Sequence, residues 1–249
     1  MLAYPPEKPD GTAILVISGG GYVRIAARIE STPCCRWLQS TGVSAFELIY
    51  RLPPEGWPRE APFQDAQRAM RLIRAAASSQ AINPNRVGVI GFSAGGHLAG
   101  MTSVLPDQGW YPPVDAADTG SARPDFAALI YPVLTMMPPY DHTHSRRSIL
   151  GEHPGPAESA AFSVERHVTD RTPPTFLAQA ADDPISPVEN SVLMFAALRA
   201  AHVAAELHIF QSGRHGWGMG RPGTEVRAWP ALLLNWAAHN ALVPPGANE

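Results

Sequence analysis

The chain has 249 residues, 45% of them hydrophobic and 16% charged, which is enough length and apolar content for one sizeable core and a single α/β domain over 1–249. Its formal net charge is −3, and its 18 Arg and one Lys (Lys8) are scattered without a basic run, so nucleic acid and anionic membrane surfaces are excluded as expected partners in favour of a small molecule. No apolar run reaches the roughly 18 to 20 residues that cross a bilayer, and no signal-peptide pattern is present. A cytoplasmic location is therefore expected, although an exported form with its signal removed would read the same way.

Residues 12–17 (Thr-Ala-Ile-Leu-Val-Ile) are continuously apolar after Thr12, as buried parallel strands are. They run into Ser18-Gly19-Gly20-Gly21-Tyr22. A helix is expected over 32–41, with Gly42 as its stop, then a strand over 43–50 and a Pro-rich loop over 51–62. Ala66, Ala69, Met70 and Ile73 fall at helical spacing within 63–77, and Asn83-Pro84-Asn85 turns the chain into a third strand beginning at Val87. Further strands are expected at 126–131, 175–180 and 205–210, with helices at 188–201 and 226–241. The segment 132–174, with a short helix near 145–150, is long enough to be a cap or pocket wall. Most of the 26 prolines sit between periodic segments, as loop punctuation does, and only 243–249 reads as a loose tail. Alternation of this kind predicts a doubly wound, mostly parallel sheet. The adjacent Cys34 and Cys35 are poorly spaced for a stable disulfide and are expected to be reduced structural thiols.

Chemistry concentrates where the strands end. Gly91-Phe92-Ser93-Ala94-Gly95 follows an apolar strand and precedes small, helix-compatible residues, the strand, sharp turn and helix of a nucleophile elbow. Chance alone produces this five-residue pattern in roughly one such chain in ten, so its context has to carry the reading. Asp182-Asp183 follows the strand at 175–180, and Gly213-Arg214-His215-Gly216 follows the one at 205–210. The chain order Ser, Asp, His is that of α/β-hydrolases. A serine hydroxyl needs a base at neutral pH, which His215 can supply, and an aspartate to hold the imidazole tautomer. Backbone N–H groups of Gly20, Gly21 and Ala94 are candidate donors to the oxygen of a tetrahedral intermediate. A phosphate-cradling loop is the weaker reading of the glycine triplet, because neither G-x-G-x-x-G nor Gly-Lys-Ser/Thr is present.

The residues Gly19-Gly20-Gly21-Tyr22, 91–99 around Ser93, Tyr131-Pro132-Val133, 173–177, Asp182-Asp183-Pro184, 187–191 and His215-Gly216 together resemble the α/β-hydrolase superfamily. Within it, they are most similar to carbohydrate-esterase-like enzymes related to acetylxylan esterases and dienelactone-hydrolase-like proteins. The resemblance implies a serine esterase, often deacetylating sugar or xylan esters, with no metal or organic cofactor. It carries the nucleophile to Ser93, the base to His215 and the oxyanion donors to Gly20, Gly21 and Ala94. Relatives often have His where this chain has Ser18, which removes one brace of the glycine loop. They also usually have two further N-terminal strands, so a sheet of about six strands is expected, with an exposed edge that a partner subunit of a homo-oligomer could cover.

Several positions stay open between two readings. The family's Asp-x-x-x-Pro spacing before Pro187 selects Asp183 as the partner of His215, whereas some peptidase-like relatives would select Asp182, and the other carboxylate would then cap a loop. The substrate pocket is expected between Gly21-Tyr22 and 135–145, with Tyr22, His142, His144 and Trp217 as candidate contacts. The two histidines fall short of a four-ligand zinc site and could equally lie on the cap surface, while Trp217 could stack on a sugar or be core. His97 reads as a packed helix residue. Hydrolysis of short, acetyl-type esters by Ser93, Asp183 and His215 is the function expected. A serine peptidase or acylaminoacyl hydrolase, and a hydrolase-fold binding protein without turnover, are the alternatives.

Overall fold

The computed structural model describes residues 1–243, and the expected loose tail, apart from Val243, lies outside the described residues. Val243 itself is buried against the core. The strands are β1 (Leu2–Tyr4), β2 (Ala13–Ile17), β3 (Ser44–Leu48), β4 (Val87–Phe92), β5 (Ala127–Ile130), β6 (Thr175–Ala180) and β7 (Ala205–Phe210). Every residue of β2 through β6 is buried, the pattern of parallel strands covered on both faces. They form one seven-stranded sheet in the order β1-β3-β2-β4-β5-β6-β7, parallel except for β1, which runs antiparallel to β3.

The principal helices are α1 (Ser31–Ser40), α2 (Ala61–Ala75), α3 (Ala94–Val104), α4 (His144–Leu150), α5 (Pro156–Ala161), α6 (Glu189–Ala200) and α7 (Trp229–His239). Side chains alternate across a strand, so each strand feeds two cores. Leu15, Val89 and Leu129 pack with Phe63 and Met70 of α2, Leu98 of α3 and Leu198 of α6. Val16, Ile90 and Ala128 pack on the other face with Leu38 of α1 and Leu233 and Trp236 of α7. Cys34 and Cys35 are both free and buried there. No helix among the described residues is long and apolar enough to cross a membrane.

Two expectations change. The sheet has seven strands rather than about six, because Leu2–Tyr4 supplies the missing edge and anchors it by a hydrogen bond of 2.8 Å from the Tyr4 hydroxyl to Glu47 Oε2. A three-residue strand lies below the usual sequence signal, and Pro5-Pro6 beyond it leaves that edge little backbone to pair. The closing helix begins at Trp229 rather than Val226, with Pro230 in its first turn, where the missing N–H costs nothing, and a 3₁₀ turn over Glu225–Ala228 before it.

Candidate active site

The turn between β4 and α3 is tight enough to force Ser93 to φ 53°, ψ −118°, a conformation that L residues rarely adopt. The glycines around it are there for space. A Cβ on Gly91 would stand 2.2 Å from the carbonyl oxygen of Gly95, and one on Gly95 would stand 2.3 Å from that of Ile17. Helix α3 is buried at every position and fixes the elbow against the middle of the sheet.

Ser93, Asp183 and His215, which come from three strand ends, meet here. Ser93 Oγ is 2.8 Å from His215 Nε2, and His215 Nδ1 is 2.7 Å from Asp183 Oδ2. The other Asp183 oxygen accepts the N–H groups of Ile185 and Ser186 at 2.8 and 2.9 Å, which locks the carboxylate's rotation. Asp182 points elsewhere: its Oδ1 accepts the N–H groups of Gly213 and Arg214 at 2.8 and 2.7 Å. Those backbone bonds, the Arg214 one foremost, hold its carboxyl below the usual range. Asp182 thus shapes the loop that presents His215, in which Arg214 and Gly216 both take positive φ (57° and 70°).

The glycine loop lies against Ser93. A Cβ on Gly19 would approach Ser93 Cβ to 2.7 Å, and one on Gly20, at φ +125°, would meet the Arg24 carbonyl oxygen at 2.1 Å. Among the described residues the N–H groups of Gly20, Gly21 and Ala94 donate to no protein acceptor. Ser18 takes up the bracing in another way. Its hydroxyl donates to Ser31 Oγ at 2.6 Å, Ser31 Oγ donates in turn to Glu47 Oε1 at 2.5 Å, and the Ser18 carbonyl accepts the Tyr50 hydroxyl at 2.9 Å.

Ser93 and His215 line a cavity of about 330 Å³ together with Gly20, Gly21 and His144. The exposed apolar side chains Val23, Ile29 and Ile185 also line it. A larger cavity, about 450 Å³, lies between the end of α3 and the segment before β6, away from these groups, and is lined by charged residues such as Asp107 and Arg171, which pair at 3.1 Å.

Of the expected substrate contacts, only His144 lines the cavity beside Ser93. Tyr22 is fully buried: its positive φ (60°) turns the ring inward against Tyr50 and Phe63, and its hydroxyl is 2.8 Å from His97 Nδ1. Trp217 is also core, with its ring 4.6 Å from that of Tyr131 and 6.5 Å from that of Trp229. The His142 side chain is 86% exposed, 3.8 Å from Asp141. His97 is a packed helix residue, as expected. Its Nε2 faces the Phe162 carbonyl at 2.7 Å, so Nε2–H donates there and Nδ1 accepts from Tyr22, and burial lowers its pKa to about 4.

One residue at the site was not singled out by sequence. Glu30, 3% exposed, lines the cavity; its Oε2 accepts the Gly19 N–H at 2.7 Å and its Oε1 accepts the Tyr131 hydroxyl at 3.0 Å. Burial pushes its carboxyl up, opposed by these two hydrogen bonds and by His215 and Arg24 nearby. The available signal was an acid set immediately before a helix start, a position usually explained by the helix dipole.

Comparison with known proteins bears on the fold and the family. A family profile described as BD-FAE matches residues 2–198. The chain is similar to an acetylxylan esterase of Xylanibacter ruminicola, 34% identical over 224 residues that make up 88% of this chain and 44% of that protein. It is also similar to endo-1,4-beta-xylanase B of Butyrivibrio fibrisolvens, 37% identical over 82% of this chain and 32% of that protein, so it spans less than half the length of these relatives. Among solved structures, an acetyl ester-xyloside bifunctional hydrolase of Caldicellulosiruptor lactoaceticus superposes with a TM-score of 0.90 at 40% identity, covering 98% of this chain and 88% of that one. A thermophilic esterase of Thermogutta terrifontis with propionate bound superposes with a TM-score of 0.82 at 26% identity, covering 98% of this chain and 90% of that one. A seven-stranded, mostly parallel sheet, an elbow serine at the end of β4 and a profile match over most of its length establish that this chain has the α/β-hydrolase fold and belongs to the BD-FAE family.

Proposed function

We propose that the protein is a serine carboxylesterase that removes short acyl groups, acetyl above all, from carbohydrate esters. The observation that carries this reading is the line from Asp183 Oδ2 through the His215 ring to Ser93 Oγ, with contacts of 2.7 and 2.8 Å, opening into a cavity bordered by Gly20 and Gly21. In this reading His215 Nε2 takes the Ser93 proton as Oγ attacks the ester carbonyl. The carbonyl oxygen gains negative charge and is met by the N–H groups of Gly20, Gly21 and Ala94, each such donor being worth about 2.7–4 kcal/mol in the transition state. His215 then returns the proton to the departing alcohol, leaving an acyl group on Ser93. Water, deprotonated by the same ring, attacks that acyl group, and the carboxylic acid leaves with Ser93 restored. Asp183 keeps Nδ1 protonated and stabilises the imidazolium.

The relatives named above as an acetylxylan esterase and an acetyl ester-xyloside hydrolase support acetyl esters of sugars as substrates. A cavity of about 330 Å³ shared by acyl group and alcohol suits a small acyl chain. The test is hydrolysis of p-nitrophenyl acetate, butyrate and octanoate, together with acetate release from acetylated xylan, by the parent and by Ser93→Ala. Acetate should be the preferred acyl group and Ser93→Ala should be inactive. Rates that rise toward octanoate would overturn the acyl assignment, and an inert parent would overturn the esterase reading.

A further inference from the structure

We propose that Glu30 is a positioning residue for the reaction at Ser93, one carboxylate that sets the oxyanion loop and the loop after His215 relative to each other. The inference rests on the esterase reading. Its Oε2 holds the Gly19 N–H at 2.7 Å, immediately before the two glycines that line the cavity. Its Oε1 holds the Tyr131 hydroxyl at 3.0 Å, and the Tyr131 oxygen accepts the Gly218 N–H at 3.1 Å, three residues beyond His215. The Tyr131 ring also stands edge-on to the His215 ring with centroids 5.0 Å apart. The chain Gly19, Glu30, Tyr131, Gly218 therefore runs around the serine, joining the segments that carry the donors and the base.

A bland role for Glu30 is to favour the N-terminus of α1, where a negative charge suits the helix dipole. The geometry points away from it. Glu30 occupies the N-cap of α1, yet its side chain makes no capping hydrogen bond and turns instead to Gly19 and Tyr131. Burying a carboxylate costs free energy unless its oxygens find partners, and here both partners lie on elements that frame the reacting serine. Gly19 lies directly against the serine: a Cβ there would stand 2.7 Å from Ser93 Cβ and 3.3 Å from Glu30 Oε2, so a shift of this residue is felt at Ser93.

The test compares Glu30→Ala, Glu30→Gln and Tyr131→Phe with the parent, using Ser93→Ala to define background, with kcat and KM measured separately on p-nitrophenyl acetate and folding checked by thermal melting. Gln is isosteric. It can accept the Gly19 N–H on its oxygen and donate from its NH₂ to the Tyr131 oxygen, which keeps its other lone pair for Gly218, so both arms persist although the Tyr131 O–H loses its acceptor. Misplacing an oxyanion loop by about 1 Å can cost on the order of 100-fold in kcat, so Glu30→Ala is expected to lose about that factor with KM within about twofold of the parent. Glu30→Gln should recover to within about fivefold of the parent, and Tyr131→Phe, which severs one arm only, should lose about three- to tenfold. A purely structural Glu30 would lower the melting temperature without this kcat-specific loss and its rescue by Gln. Should Glu30→Ala fail to fold, the other two variants decide: both indistinguishable from the parent, or a loss confined to KM, overturns the proposal. An inert parent overturns the esterase reading and this inference together, whereas a parent dependent on Ser93 but indifferent to Glu30 overturns the inference alone.

Discussion

Asp182 and Asp183 are neighbours in the chain and serve different loops: Asp182 Oδ1 accepts the N–H of Arg214 at 2.7 Å, whereas Asp183 Oδ2 lies 2.7 Å from Nδ1 of His215. One carboxylate shapes the backbone that carries the histidine, and the other meets its ring. Asp183→Asn should favour the wrong tautomer and lower kcat/KM by roughly 10³- to 10⁴-fold. Asp182→Asn keeps an acceptor oxygen for both amides and should stay within about tenfold of the parent. Steady-state kinetics on p-nitrophenyl acetate separates the two, and equal losses would contradict the assignment.

Glycines of this site differ in why they are glycine. A Cβ on Gly95 would lie 2.3 Å from the Ile17 carbonyl oxygen, backbone against backbone, so Gly95→Ala should yield little folded protein. Gly216 has open space around its Cβ position and only its φ of +70° to justify it. Gly216→Ala should cost about 1–2 kcal/mol of left-handed strain and lower Tm by a few degrees while the protein still folds. Soluble yield and thermal melts distinguish the cases.

His97 makes stability depend on pH. Burial takes its pKa down to about 4 in the folded chain, against about 6.5 when unfolded, so between those values the unfolded state binds the extra proton. Its stabilising contribution is complete above about pH 6.5 and is lost as pH falls toward 4, a change of roughly 3 kcal/mol at most. His97→Gln, which can still donate to Phe162 and accept from Tyr22, should flatten this part of the curve. Tm measured from pH 7.5 to 4 in both proteins checks it.

Glu30 acts in the opposite direction. Burial is the main cause that raises its carboxyl above the ordinary 4.5, so its favourable contribution is complete below that value and is lost as pH rises through the folded value. Glu30→Gln should therefore be as stable as the parent or more so at pH 7, with the advantage disappearing near pH 4. A variant less stable at pH 7 than at pH 4, relative to the parent, would reverse the sign.

The cavity wall gives a specificity test. His144 lines the cavity and His142 faces solvent, so His144→Ala should change KM for acetylated xylo-oligosaccharides severalfold while His142→Ala should not. Trp217→Phe, being a core change, should lower Tm and leave KM near the parent's.

The sequence by itself determined the fold class, the strands at 175–180 and 205–210 to the residue, and the spatial meeting of Ser93 and His215. These were legible because each depends on local pattern: 175–180 is a mostly apolar run that the sheet buries, 205–210 spaces its apolar residues as a half-buried edge strand does, and strand ends in such sheets converge. Only the tertiary structure decided which aspartate faces His215, since adjacent residues point to opposite sides and one residue of register exchanges them. It also decided that Tyr22 and Trp217 turn into the core while His144 faces the cavity, because side-chain direction in a turn follows φ and packing that no periodicity encodes. Leu2–Tyr4 became a strand only because β3 offered it an edge. Glu30 was invisible for the same reason: its two partners, Gly19 and Tyr131, lie 11 and 101 residues away in the chain, and a carboxylate acquires that kind of role only when the fold brings distant donors to it.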